Sequence, residues 1–154
     1  MSFGNRRGMT LVELIVAFTI MALLTTMAVP LARYKVRRDR ERDLRYALRE
    51  MRTAIDKYKD MSDAKQLPPG SVDSDGYPTT LDELVDGVKL AGTVDKKIRF
   101  LRRIPKDPVT DSLDWGKRST RDDPKSMSWG GQNIFDVYTK STEKASDGTP
   151  YSEW

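Results

Sequence analysis

The chain of 154 residues contains no cysteine and no histidine. These absences exclude disulfide bonds, thiolate nucleophiles and the usual zinc ligands, and they remove the side chain that most often acts as a general base. Carboxylates alone can catalyse some reactions, but no pair of them stands apart from turn and surface positions. We therefore expect a protein that is not an enzyme.

Long hydrophobic stretches are also scarce in a chain that is 32% charged. One run is the exception: residues 9–29, MTLVELIVAFTIMALLTTMAV, carry a single charge, on Glu13. As a helix, this run is about as long as a bilayer core is thick. We predict that residues 9–29 form a transmembrane and assembly helix, and that residues 30–154 form a globular domain on a membrane tether.

Residues 1–8, MSFGNRRG, form a short basic segment before this run. A secretory signal begins in a similar way, but its cleavage site follows the apolar run, whereas here Val29-Pro30 leads directly into a charged helical pattern. Glu13 is also out of place in a signal, because an ionised group in the membrane costs about 2.5 to 3.5 kcal/mol. The pattern therefore argues against a secretory signal.

RRG followed by MTLVELIVAF resembles the class III leader of type IV pilins and type II secretion pseudopilins. The resemblance implies that a prepilin peptidase removes residues 1–8 by cutting between Gly8 and Met9, and that the new amine of Met9 is methylated. It places Glu13 at mature position five and Pro30 where the family commonly carries a proline. Met9 departs from the phenylalanine that is usual at the new N-terminus.

The cleavage would give Glu13 a partner. A carboxylate stays charged in a low-dielectric helix bundle only beside a cation, and the cut creates an ammonium group on Met9. We predict that Glu13 pairs with the Met9 ammonium of a neighbouring subunit in a filament. The alternative is a protonated, lipid-facing Glu13 without a role.

The orientation in the membrane is decided by two conflicting patterns. Two basic residues precede the apolar run and seven follow it between Arg33 and Arg45, so the positive-inside rule places the C-terminal side in the cytoplasm. The peptidase motif requires Gly8 at the cytoplasmic face. Following that motif, we predict a single-pass protein of the inner membrane with residues 30–154 in the periplasm.

The sequence after Pro30 has no helix breaker before Pro68 and predicts that the long helix continues. One apolar stripe, formed by Leu44, Leu48, Met51, Ile55 and Tyr58, recurs at steps of four and three residues and faces the globular domain.

Nine basic residues between Arg33 and Arg52 are interleaved with acids, which predicts a solvated, ion-paired face, for example Glu41 with Arg45. Subunit contacts and a nucleic-acid patch are the alternatives, and nucleic acid is not expected as a partner.

The remaining sequence predicts an α+β fold, in which the long N-terminal helix packs on a small antiparallel sheet as in pilins. Thr80 and Glu83 form a capping-box pattern for a short helix ending at Gly87. Phe135 and Val137 are expected to face the core from one strand. We expect a second short helix at residues 97–102, strands at 113–115, 127–129 and 134–138, and an inserted mobile loop at 117–127.

Four segments, GYPTTLDEL, RRIPKDPVTDSLDWG, NIFDVYTKS and DGTPYSEW, resemble the major pseudopilin of type II secretion. The resemblance implies a structural subunit of a pseudopilus, a periplasmic filament that acts in protein export. Its partners would be copies of itself, other pseudopilins, the prepilin peptidase and the inner-membrane assembly platform. The alternative is a type IV pilus subunit for attachment, motility or DNA uptake.

The resemblance also implies calcium, which the family binds through closely spaced acids of its C-terminal loop. In this chain, Glu143 and Asp147 are the only acids of that region before Glu153. Since calcium takes six to eight oxygen ligands, main-chain carbonyls would have to supply most of them. We therefore expect calcium to matter less here, and we expect no other cofactor.

Overall fold

The computed structural model of the chain describes residues 10–93 and 96–154, with the backbone alone at residues 27–31. The described residues divide into two compact units, the first ending at Asp39 and the second beginning at Arg40. The first helix, α1 (Leu11–Asp63), contributes to both units.

Local sequence signals set both ends of α1. At its start, the hydroxyl of Thr10 accepts a hydrogen bond from the Glu13 amide at 3.3 Å, and the Thr10 carbonyl accepts one from Leu14 at 3.1 Å. At its end, Lys65 adopts a positive φ of 56°, and the amide of Gln66 donates to the Met61 carbonyl. This left-handed residue closes the last turn, as is common at helix C-termini.

The second unit confirms the predicted α+β class. Its two antiparallel sheets have two strands each, and their registers pair Val88 with Ile98 and Gly116 with Tyr138. After α1, the elements are a 3-10 helix (Val72–Ser74), α2 (Asp82–Asp86), β1 (Val88–Lys89), β2 (Lys97–Ile98), β3 (Gly116–Arg118), β4 (Asp136–Tyr138) and a 3-10 helix (Tyr151–Glu153).

The apolar stripe of α1 lies in the core of this unit, as predicted. All five stripe residues are buried, and three of them have no exposed surface at all. Burial of aliphatic side chains of this size stabilises a fold by about 1.5 to 3 kcal/mol each relative to exposure. The stripe therefore ties α1 to the following chain, where Leu84, Trp115, Ile134, Val137 and Tyr151 complete the cluster.

The capping-box prediction at α2 is confirmed in part, because Thr80 and Glu83 contact each other but the N-cap residue of α2 is Leu81. The hydroxyl of Thr80 accepts a hydrogen bond from the Glu83 amide at 3.4 Å. The Thr79 hydroxyl donates to the carboxylate of Glu83. The helix ends before Gly87, whose φ of 82° suits glycine.

The prediction of a helix at residues 97–102 is wrong. Lys97 and Ile98 form β2 instead. The amides of Phe100 and Leu101 both donate to the carbonyl of Leu84 at 2.9 Å. Leu84 lies within α2, so a contact with a preceding segment overrides the local helical pattern.

The later strands are shorter than predicted and partly displaced. Residues 127–129 form no strand, and β3 begins after the predicted segment 113–115. The segment 117–127 is not a mobile insertion at its start, because Arg118 and Ser119 are 5% and 2% exposed. Val137 faces the core as predicted, but Phe135 is 49% exposed and packs edge-on against Tyr77 with 5.4 Å between ring centroids.

Because of Tyr58, the last residue of the stripe, we expect the free energy of unfolding to fall at alkaline pH. Burial, together with the nearby Glu83 carboxylate, raises the pKa of Tyr58 to about 12. The unfolded chain releases this proton near pH 10. The stabilisation that results from the raised pKa of Tyr58 is therefore present below about pH 10 and is lost as the pH rises toward 12.

We expect the melting temperature of the wild type to fall more between about pH 9 and pH 12 than that of Tyr58→Phe, which lacks this proton. Thermal unfolding followed by near-UV circular dichroism measures the difference. Tyr46→Phe is the matched control, because Tyr46 is 68% exposed. Identical pH dependence in the two variants would contradict the assignment.

Candidate functional site

The predicted assembly residue Glu13 lies in the first turn of α1 and is exposed. Its position three residues after Thr10 completes a T-x-x-E capping pattern, which is a signal visible in the sequence alone. A carboxylate in the first turn of a helix is also stabilised by the helix dipole. The predicted cleavage and methylation residues, Gly8 and Met9, lie outside the described residues.

The helix around Glu13 is apolar on every face. Its large side chains are between 51% and 78% exposed in the first unit. A helix that is hydrophobic all round belongs in an apolar environment, either lipid or other helices. The exposed side chains are Leu11, Val12, Leu14, Ile15, Val16, Phe18, Ile20, Met21, Leu23 and Leu24.

The threonines of this segment are suited to the same environment. Thr19 donates its hydroxyl proton to the carbonyl of Ile15 at 2.7 Å, and Thr25 donates to the carbonyl of Met21 at 2.8 Å. Thr26 makes a similar bond one turn back. Each hydroxyl is satisfied within its own helix, which avoids the cost of an unpaired donor in hydrocarbon.

Where side chains are described, no helix contains a stretch both long enough and apolar enough to cross a membrane. The predicted span, residues 9–29, extends outside that part of the chain at residue 9 and at residues 27–29. Membrane insertion of this segment therefore stays a prediction.

The charged half of α1 is less uniformly solvated than predicted. Glu41 is only 9% exposed, and its carboxylate accepts hydrogen bonds from the amide and hydroxyl of Ser146 and from the hydroxyl of Tyr151, at 3.0 to 3.1 Å. Arg45 stacks on the ring of Trp154 at 4.1 Å. These residues bind the C-terminal segment to α1, a role that the sequence pattern did not indicate.

The calcium candidates Asp147 and Glu143 lie in the C-terminal loop. Asp147 Oδ1 accepts hydrogen bonds from the hydroxyl and amide of Thr149 at 2.6 and 2.9 Å, and these bonds lower the pKa of Asp147. Glu143 is exposed. In residues 10–93 and 96–154, no three acids are grouped so that they could hold a metal. This donor set does not fit the site of six to eight oxygens that calcium requires.

Arg118 is the polar residue that the sequence analysis missed. It is 5% exposed, and its guanidinium group donates to the carbonyls of Ser126 and Ser152. Its polar surroundings in the sequence predict a mobile loop at 117–127. The alternation of Gly116, Lys117 and Arg118 across a three-residue strand is too short to reveal which face is buried.

Comparison with known proteins identifies one similarity. A family model described as the prokaryotic N-terminal methylation motif matches residues 4–29. That region contains Gly8, Met9 and Glu13, so the match confirms the predicted leader motif. No curated protein and no solved structure matches the chain.

Proposed function

Since the N-terminal motif indicates a type IV pilin-like protein that a prepilin peptidase processes, we propose that the chain is a structural subunit of a membrane-anchored filament. This proposal rests on the part of α1 that lies in the first unit. That part is apolar on every face and has one carboxylate in its first turn. Such a surface is buried when the helices of many subunits bundle together. The role proposed is structural and not catalytic.

In the proposed filament, Glu13 of one subunit binds the Met9 ammonium of the next. An intramolecular contact competes with this pairing, because residues 9 and 13 are one helical turn apart. The intermolecular contact links subunits directly, and it exists only after the leader has been removed. Cleavage would therefore control the start of assembly.

We place the filament in type II secretion, on the resemblance of four segments to the major pseudopilin. These segments help to build the core of the second unit. Asp107 of the PKDP segment is 1% exposed, accepts a hydrogen bond from the Val109 amide at 2.8 Å, and binds the Thr139 hydroxyl. The FDVY segment supplies β4, with Val137 in the core.

A pilus for DNA uptake is the second candidate, because Arg38 and Arg40 of α1 are exposed. Other arginines of the same stretch already have intramolecular contacts. Arg45 stacks on Trp154, and Arg52 pairs with Asp136. Fewer cations therefore remain for phosphate groups than the sequence suggests, which favours secretion.

Processing gives the first prediction of this proposal. Removal of eight residues from 154 leaves a mature chain of 146, and methylation of Met9 replaces one hydrogen with a methyl group, a net gain of CH2. Intact-mass analysis of membrane-extracted protein measures both changes. Retention of Met1, or a mature chain that starts near Leu31, would end the pilin-like proposal.

The two machines are distinguished by deleting the gene and assaying both exported enzymes and surface fibres. We expect loss of export with surface fibres retained, restored by the wild-type gene. Loss of fibres or of DNA uptake with normal export would instead support the pilus. If neither process changes in a strain without a second copy of the gene, the filament role is contradicted.

A further inference from the structure

The C-terminal segment, residues 143–154, has little regular structure to hold it in place. It contains one isolated bridge, between Lys144 and Pro150, and the short 3-10 helix Tyr151–Glu153. Nevertheless, Ala145 and Tyr151 are 5% and 2% exposed. Contacts from outside the segment must therefore keep it against the core.

Besides Glu41 and Arg45, Arg52 of α1 also contacts the segment. Its Nη2 donates to the main-chain oxygen of Trp154 at 2.6 Å and to the carbonyl of Val137 at 3.2 Å. Its Nε donates to Asp136 Oδ1 at 2.6 Å. One guanidinium group thus joins α1, β4 and the C-terminal segment.

Arg118 of β3 also contacts the segment and, like Arg52, reaches Asp136 Oδ2. Its Nη2 donates to the carbonyl of Ser152 at 3.1 Å, and its Nε donates to the carbonyl of Ser126 at 2.9 Å. Its Nη1 lies 3.4 Å from Asp136 Oδ2. The guanidinium carbon also lies 4.0 Å from the ring centre of Tyr138, so the cation is stacked as well as hydrogen-bonded.

The oxygens around these two cations are one carboxylate and several main-chain carbonyls. Calcium takes the same kinds of ligand. In this chain, these oxygens accept hydrogen bonds from two planar guanidinium groups, each of which holds several donors in fixed directions. Because the buried guanidinium of Arg118 is both paired and hydrogen-bonded, its burial is compensated.

We propose that Arg52 and Arg118, bridged by Asp136, form an arginine clamp that holds the C-terminal segment against the core without a bound calcium ion. The acids that a calcium site needs are few in this segment, and its carbonyls are bound by arginines instead. The clamp belongs to the second unit alone. It does not depend on filament assembly, so it can be tested separately.

Hydrogen exchange of the full chain in detergent tests the clamp, because the amides of Ala145 and Tyr151 are hydrogen-bonded within the segment. In Arg118→Met and Arg52→Met, we expect these amides to exchange about 10- to 100-fold faster, as a lost charge-assisted contact allows local opening. Arg49→Met is the matched control, since Arg49 is exposed on the same helix. We expect no change there.

Lysine variants separate geometry from charge. In Arg118→Lys, a single ammonium group cannot reach Ser126, Ser152 and Asp136 at once, so we expect faster exchange in the segment despite the retained charge. Exchange in the buried α1 stripe should stay slow in all these variants. That internal reference shows that the segment has opened while the unit remains folded.

Calcium provides the second arm of the test. With about 5 mM calcium or with a chelator, we expect the same exchange rates in the wild-type segment, because the ligand set is incomplete. Slower exchange with calcium would overturn the proposal. It would also be overturned if Arg52→Met and Arg118→Met exchanged at the rate of Arg49→Met.

Discussion

Glu13→Val is expected to yield membrane-inserted, normally folded protein that forms very few filaments. The substitution leaves the second unit unchanged, since Glu13 lies in the first unit. It also removes the only charge from the apolar run, which favours insertion. The defect should therefore appear at assembly alone.

The expected loss of filaments is large because the Met9 ammonium of the neighbouring subunit would be left unpaired. When one member of a buried ion pair is removed, the other is left unpaired at a cost of about 3 to 5 kcal/mol. In a filament, this cost would recur at every subunit contact. Yields of sheared filaments, normalised to subunit in the membrane fraction, measure the result.

Leu14→Val is the matched control, because it changes an apolar side chain in the same helical turn without changing charge. It should assemble close to the wild-type level. Wild-type filament yields from Glu13→Val would remove the role assigned to this carboxylate. If the intact mass of Glu13→Val shows that the leader is retained, Glu13 acts in processing instead.

Trp115→Ala is expected to lower the free energy of unfolding of the second unit by about 3 to 5 kcal/mol. Trp115 is 1% exposed in the core, and its indole Nε1 donates to the Pro105 carbonyl at 2.8 Å. The change removes a large apolar surface and an internal hydrogen bond together. Since small domains are stable by only about 5 to 15 kcal/mol, much of the stability would be lost.

Urea unfolding followed by near-UV circular dichroism measures this loss. Trp115→Phe retains most of the bulk but leaves the Pro105 carbonyl unpaired, so an intermediate loss of about 1 to 3 kcal/mol is expected. Leu113→Ala is the control, because Leu113 is 60% exposed, and its effect should be about 0.5 kcal/mol or less. Equal losses in Trp115→Ala and Leu113→Ala would contradict the described packing.

Several features of the fold were predictable because they depend on neighbours along the chain. The α1 stripe has a helical period, and its buried residues are those that the period selects. The contact between Thr80 and Glu83 at the start of α2 and the end of α2 before Gly87 follow from capping rules that involve three or four residues. The prepilin-type motif at residues 4–29 is likewise a continuous stretch of sequence.

Other features depend on residues far apart in the chain. Residues 97–102 were predicted to be helical, but Lys97 and Ile98 pair with β1, and the amides of Phe100 and Leu101 donate to the Leu84 carbonyl. Phe135 packs against Tyr77, which lies on another segment, and not in the core. Local propensity amounts to less than 1 kcal/mol per residue and gives way to such contacts.

The sequence by itself determined the leader motif, the apolar first half of α1 and the stripe of its second half, because local periodicity and composition carry these features. Only the tertiary structure decided the roles of Glu41, Arg52 and Arg118. Arg52 meets Asp136 across 84 residues, and Glu41 meets Tyr151 across 110. A charged side chain looks solvated in sequence, and only the folded chain brings the distant partners that compensate its burial.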